Sequence, residues 1–216
     1  NHIIRKVSGG IITTIAGIPG EAKFSGSNES ALDTHLYEPT DLAIAPNGQL
    51  YFSDHGNHCI RKIDASDKIQ TVAGQCGKRG FGGDGGLATL ALLSHPRGLA
   101  FTKADELLIA DFGNSVIRKV NMGTGNIMTI AGESGYVGYT GDGESSTSAQ
   151  LNRPTSIVVS ETDCEYYIAD FGNHLIRVVR PNDCPKIMVS EPRDHRNCTV
   201  PTFYAQFPPE LNVLNI

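Results

Sequence analysis

No apolar run in this 216-residue chain approaches the roughly 18–20 residues that a membrane-spanning helix needs, so no such span is expected. Positive charge is also scarce: 18 Lys+Arg stand against 23 Asp+Glu, a formal net charge of −5. Gathering nucleic acid or anionic lipid requires net positive charge on at least one face, and this balance argues against both partners. The five cysteines, Cys59, Cys76, Cys164, Cys184 and Cys198, contain no CxxC pair and lack the clustering of a zinc site. Helix-length 3.6-residue periodicity is missing, apart from a turn-like stretch around Leu87–Leu93. The first residue is Asn1, with no charged-then-apolar leader before it, which fits a removed signal peptide or a piece of a longer chain. Hydrophobic residues nevertheless make up 39% of the chain, too many for a disordered one.

What is present is turns and repetition. Gly 24 and Pro 11 together predict many turns. Asn1-His-Ile-Ile-Arg-Lys-Val returns at Asn57 as Asn-His-Cys-Ile-Arg-Lys-Ile, at Asn114 as Asn-Ser-Val-Ile-Arg-Lys-Val and at Asn173 as Asn-His-Leu-Ile-Arg-Val-Val. Ahead of it stand Ser53-Asp-His-Gly, Ala110-Asp-Phe-Gly and Ala169-Asp-Phe-Gly; behind it come Ile12-Thr-Thr-Ile-Ala-Gly, Ile69-Gln-Thr-Val-Ala-Gly and Ile127-Met-Thr-Ile-Ala-Gly. Units open with Pro39-Thr-Asp-Leu-Ala, Pro96-Arg-Gly-Leu-Ala and Pro154-Thr-Ser-Ile-Val. The pieces are short Ile/Val/Tyr/Phe runs separated by Gly, Asn, Asp and Pro, which predicts four strands per unit. In one unit these fall near Gly98–Thr102, Glu106–Ala110, Val116–Asn121 and Ile127–Ala131. Imperfect alternation in Ile117-Arg-Lys-Val suits a sheet covered on both faces. Short antiparallel sheets at fixed period read as β-propeller blades.

The string Pro-x-Gly-Leu-Ala … Ala-Asp-x-Gly-Asn-His-x-Ile-Arg-Lys-Val … Thr-Ile-Ala-Gly resembles the NHL repeat, and Asn173-His174-Leu175 spells its signature. The expected fold is all-β: a β-propeller of four-stranded antiparallel blades, about four of them, closed on itself or completed by another chain. The expected divisions are a half-blade at 1–17, units near 36–74, 93–132 and 151–190, and a tail at 191–216. That tail supplies two strands that close the ring or are donated to a neighbouring molecule; a fragment of a larger propeller is the third alternative.

Asp54, Asp111 and Asp170, with Asn57, Asn114 and Asn173, are expected to build tight turns, since Asp accepts backbone N–H bonds and Asn tolerates positive φ. The rival reading makes those aspartates a ring of carboxylates holding an axial cation. The resemblance implies a further metal reading for His58 and His174, as in similar lyases, but also a packing role. The Arg at 5, 61, 118 and 177 is expected to pair with acids or carbonyls of a neighbouring blade. Gly80-Phe-Gly-Gly-Asp-Gly matches a dinucleotide fingerprint in spacing alone, without its βαβ context. Asp84 and Asp142 in the Gly-Asp-Gly loops offer calcium too few oxygens; otherwise no cofactor is implied.

Placed on a four-stranded meander, Cys59 and Cys76 lie near one rim and Cys164 and Cys184 near the other. The expected disulfides are therefore 59–76 and 164–184, with Cys198 unpaired or intermolecular. Asn28 and Asn197 are N-glycosylation acceptors in loop-like stretches. With the cysteines they point to a secreted chain. The functional expectation is a non-catalytic, secreted interaction or structural module, in a repetitive extracellular assembly, with a protein partner or self-association through edge strands. The alternatives are an NHL-like lyase or hydrolase with an axial metal, and an RNA binder, which the charge balance opposes.

Overall fold

Three- to six-residue runs of β-branched, aromatic and Leu residues, each closed by Gly, Asn or Asp, are too short for helices and pair with their sequence neighbours. The computed structural model describes residues 1–181, and these form four antiparallel sheets, each strand hydrogen-bonded to the next in sequence. The first blade holds β1 (Ile4–Ser8) and β2 (Ile11–Ala16). The second holds β3 (Pro39–Ile44), β4 (Leu50–Asp54), β5 (Cys59–Ile63) and β6 (Ile69–Ala73). The third holds β7 (Leu99–Phe101), β8 (Glu106–Asp111), β9 (Val116–Asn121) and β10 (Ile127–Ala131), and the fourth β11 (Ser156–Val159), β12 (Tyr166–Asp170) and β13 (Leu175–Val179). The expected last strand of the 151–190 unit and the 191–216 tail lie outside the described residues.

The blades pack face to face. In β8 the residues Leu107 and Ile109 enter a cluster with Tyr51 and Ile60 of the second blade. Their neighbours Leu108 and Ala110 enter another with Ile157 and Ile168 of the fourth. Period-two alternation thus feeds two apolar interfaces, and each fully buried Ile or Leu contributes about 1.5–3 kcal/mol. The first and second blades meet through Ile4, Ala16, Phe52 and Ile69. The opening strands are innermost, with β7 between β3 and β11.

Each second strand ends in the repeated turn. Asp54, Asp111 and Asp170 precede single 3-10 turns at His55–Asn57, Phe112–Asn114 and Phe171–Asn173. The turns close on left-handed residues: His58 at φ 59°, Ser115 at 57° and His174 at 57°. Registers repeat as well: Phe52 faces Arg61, Ile109 faces Arg118 and Ile168 faces Arg177. Cys59 at the start of β5 is bonded to Cys76, with Cα atoms 5.1 Å apart. Cys164 is also in a disulfide; Cys184 and Cys198 lie outside the described residues.

Candidate functional site

The repeated Asp, Asn and Arg converge within each blade rather than on the axis. Asp54 Oδ1 accepts the Tyr37 backbone N–H at 2.7 Å, Asp111 that of Ser94 at 2.8 Å and Asp170 that of Asn152 at 2.7 Å. The other carboxylate oxygen accepts from the Asn three residues on, at 2.9, 2.8 and 2.7 Å. That Asn amide also donates to a carbonyl of the preceding loop: Lys23, Gly80 or Gly138. Arg61, Arg118 and Arg177 approach the same Asp oxygens at 3.4, 3.6 and 3.7 Å. All three aspartates are fully buried, and so are Arg61 and Arg118. Burial pushes the Asp54 carboxyl up and the Asp111 carboxyl up to about 7, opposed by the hydrogen bonds from Asn and backbone.

The Gly-Asp-Gly loops complete these clusters. Asp84 accepts from Arg118 at 2.5 Å and from the Thr129 backbone N–H at 3.1 Å; Asp142 accepts from Arg177 at 2.6 Å. These carboxylates hold guanidinium groups, and the Asp84 loop runs alongside the fourth strand of its blade, as in the Gly85 N–H to Ile127 carbonyl bond. The arginines therefore pair with their own blade's Asp and with the loop that leads into it, a correction to the neighbouring-blade acid expected from the repeat.

The residue at the signature histidine position fastens one blade to the next. His2 Nδ1 accepts the Glu38 N–H at 3.1 Å, His58 Nδ1 accepts the His95 N–H at 3.3 Å and Ser115 Oγ accepts the Arg153 N–H at 3.1 Å. Each donor sits just before a unit-opening proline and has positive φ: 52°, 49° and 52°. Such a joint needs an unprotonated imidazole nitrogen, and a hydroxyl serves equally.

Near the axis a cleft of about 370 Å³ is lined by Thr40, Asp41, Arg97, Thr155 and Ser156. Asp41 accepts the Leu99 N–H at 2.8 Å, and Arg97 lies 4.3 Å from the Phe112 ring. A larger cleft of about 890 Å³ runs between the third and fourth blades past Glu106, Lys119, Asp142 and Arg177. Among the described residues no group of three or more His, Cys, Asp or Glu could hold a metal ion. Asp54, Asp111, Asp170, His58 and His174 stay separated, one set per blade, because the turn carrying them recurs once per sheet. Asn28 is exposed at φ 74°, its N–H donating to the Ile69 carbonyl; Asn197 lies outside the described residues.

Human Teneurin-4 is 31% identical over 202 residues, covering 83% of this chain and 7% of that protein. Protein SUPPRESSOR OF QUENCHING 1, chloroplastic, of Arabidopsis thaliana is 36% identical over 104 residues, 48% of this chain and 10% of that one. A structural-genomics protein of unknown function from Bacteroides thetaiotaomicron superimposes with TM-score 0.64 at 21% identity, covering 83% of this chain and 42% of that one. The chain therefore spans a tenth or less of those two relatives and under half of the solved structure. The family model described as NHL repeat matches residues 36–63. This is an NHL-repeat β-propeller chain. Its matched segment runs from the residues ahead of β3 to the end of β5, and so contains one complete Asp54–Asn57–Arg61 cluster.

Two features of the NHL framework were hidden from sequence reading. One is the joint: the signature histidine's partner is the backbone of the residue before the next proline, which the repeat does not keep constant. The other is His95, which belongs to no motif. Its only signal was its position ahead of Pro96, where the other units carry Glu38 and Arg153.

Proposed function

We propose that this chain is a non-catalytic, extracellular NHL propeller module whose two outermost described blade faces each take a further β-sheet blade, from the same chain or from a protein partner. The carrying observation is how exposure changes along the repeat. Ile60 and Ile117 are 0% exposed, whereas the equivalent Ile176 on the fourth blade is 69% exposed. At the other end Ile12 is 52% exposed, whereas the equivalent Ile69 is 0% exposed. The same side chains that glue inner blades together thus face outward at the ends, and large exposed apolar patches mark interaction surfaces. The geometry that satisfies such a face inside the molecule is another blade, so a β-sheet blade of the same or a neighbouring chain is the fitting partner. β1 is also an edge strand of its two-stranded sheet, open to strand addition. A contact of one end face with the opposite end face of a second copy is heterologous and propagates unless it closes, the basis for a repetitive assembly.

The disulfide and the exposed Asn28 acceptor support an oxidising, extracellular setting. Against the axial-metal lyase or hydrolase reading, each repeated Asp spends both carboxylate oxygens on backbone N–H and Asn donors. Light scattering of the purified chain over a hundredfold concentration range tests the proposal. The expected result is a mass that rises above 23.1 kDa and returns to it in Ile176→Lys, without loss of unfolding midpoint. A strict 23.1 kDa monomer, indifferent to that substitution, overturns it.

A further inference from the structure

The joint between the second and third blades differs from its neighbours in chemistry. It packs three imidazoles together: the His95 ring lies 4.3 Å from that of His58 and 5.1 Å from that of His55, centroid to centroid. His55 is buried, and its Nδ1 lies 3.2 Å from the Pro96 carbonyl oxygen. His58 Nδ1 accepts the His95 N–H, so this bond exists only while that nitrogen is unprotonated. The equivalent joint between the third and fourth blades uses the Ser115 hydroxyl, which does not titrate.

We propose that the His55–His58–His95 cluster makes the joint between the second and third blades open on acidification, while the joint built on Ser115 stays closed. Protonated imidazoles at these spacings repel one another, and a proton on His58 Nδ1 sets a donor against the His95 donor. The charged groups facing the cluster favour this outcome. Arg79 acts on His58 and His95, Arg97 acts on His55, and the one opposing charge is Glu38, from the segment ahead of β3. The nearby buried acids are turned elsewhere: Asp54 to Tyr37, Asn57 and Arg61, and Asp111 to Ser94, Asn114 and Arg118. Burial, reinforced by the neighbouring positive charges, lowers the pKa of all three histidines, that of His95 to about 4. A group lowered in this way contributes stability above its ordinary value and loses it as pH falls through the folded one. The affected window runs from about 6.5 down to about 4, which includes the acidic compartments that histidine switches sense.

The test is amide hydrogen exchange of the intact chain at pH 7.5 and 4.5, corrected for intrinsic pH dependence, read at His95 and, as an internal control, at Arg153. In the wild type His95 protection falls about tenfold or more while Arg153 protection holds within about twofold. His58→Ser, which copies the Ser115 joint, keeps His95 protected at both pH values. His58→Asn, whose neutral amide oxygen can accept the same N–H, serves the same purpose should the first variant fold poorly. The proposal is overturned if the pH response persists in both variants. It is also overturned if Arg153 responds as strongly as His95, or if His95 protection does not change.

Discussion

Arg118→Met is the sharpest probe of the repeated buried cluster. Arg118 is fully buried, pairs with Asp84 at 2.5 Å and approaches Asp111 at 3.6 Å. It also donates to the Gly82 carbonyl at 3.1 Å and lies 5.0 Å from the Phe81 ring centroid. Methionine fills most of the volume, so the loss is chiefly electrostatic. Asp111 is left with the Ser94 and Asn114 donors but without a cation, and removing one partner of a buried pair costs about 3–5 kcal/mol. With Arg118 in place the Asp111 carboxyl already sits at about 7, so proton uptake relieves part of that cost at neutral pH, and about 2–3 kcal/mol is expected there.

The sign of the pH dependence follows from the same geometry. Burial already raises Asp111 above 3.8, and losing the Arg118 attraction raises it further. A carboxyl raised by folding contributes stability below its ordinary value and loses it as pH climbs through the folded one. The penalty of Arg118→Met therefore grows with pH and shrinks to about 1–2 kcal/mol at pH 4.5, the residue left by carbonyls that lose their donor. Urea unfolding followed by circular dichroism at pH 4.5 and 7.5, with wild type beside variant at each, measures both numbers. A penalty below about 1 kcal/mol at pH 7.5, or one that does not fall on acidification, refutes the reasoning.

Three further outcomes are expected. A Cβ on Gly74, which sits at φ 86°, would lie 2.6 Å from the His58 carbonyl oxygen, while one on Gly48, at φ 82°, meets nothing within 4 Å. Gly74→Ala should cost about 3 kcal/mol and Gly48→Ala about 1, and equal denaturation midpoints would show that the close approach is unimportant. Opening the Cys59–Cys76 bond, which spans 17 residues, should lower stability by about 3 kcal/mol, read as a lower melting temperature for the Cys59→Ser/Cys76→Ser pair. Ile109→Ala, in the interface of the second and third blades, should cost about 2–5 kcal/mol, whereas Ile176→Ala should stay within about 0.5 in dilute monomer; similar costs would mean that the end face is not open.

The architecture was largely legible because strands and turns are local. The expected second and third strands of the 93–132 unit fall on β8 and β9, since Gly, Asn and Asp bound them on both sides. The Asp-x-Gly-Asn string specifies its own turn through chain geometry within five residues. What stayed illegible is what crosses between segments. Arg118 finds Asp84 from 34 residues away, and His58 finds His95 from 37. A repeat comparison shows which residues recur but not which surface each one meets. It therefore left Asp84 as a thin calcium candidate, while folding makes it the counter-ion of an arginine. Clustering of histidines was hidden for another reason: one of the three, His95, stands at a position where no two units agree.

That disagreement carries a functional consequence. The positions that recur, Asp111, Asn114, Arg118 and their equivalents, are spent on holding each blade to its loop, and a ligand competing for them would dismantle the frame. A ligand other than a neighbouring blade would then have to use positions the frame leaves unconstrained. Those around the axis differ in charge and size from blade to blade: Thr40, Arg97 and Thr155 on one level, Asp41, Gly98 and Ser156 on the next. At the joints the variable set is Glu38, His95 and Arg153, three backbone donors with one shared geometry and three different side chains. The framework fixes where these side chains stand, and their identity sets how each joint responds. Evolution of binding in such an array can therefore proceed one blade at a time at nearly constant stability, because a change at position 97 or 153 leaves every Asp–Asn–Arg cluster untouched.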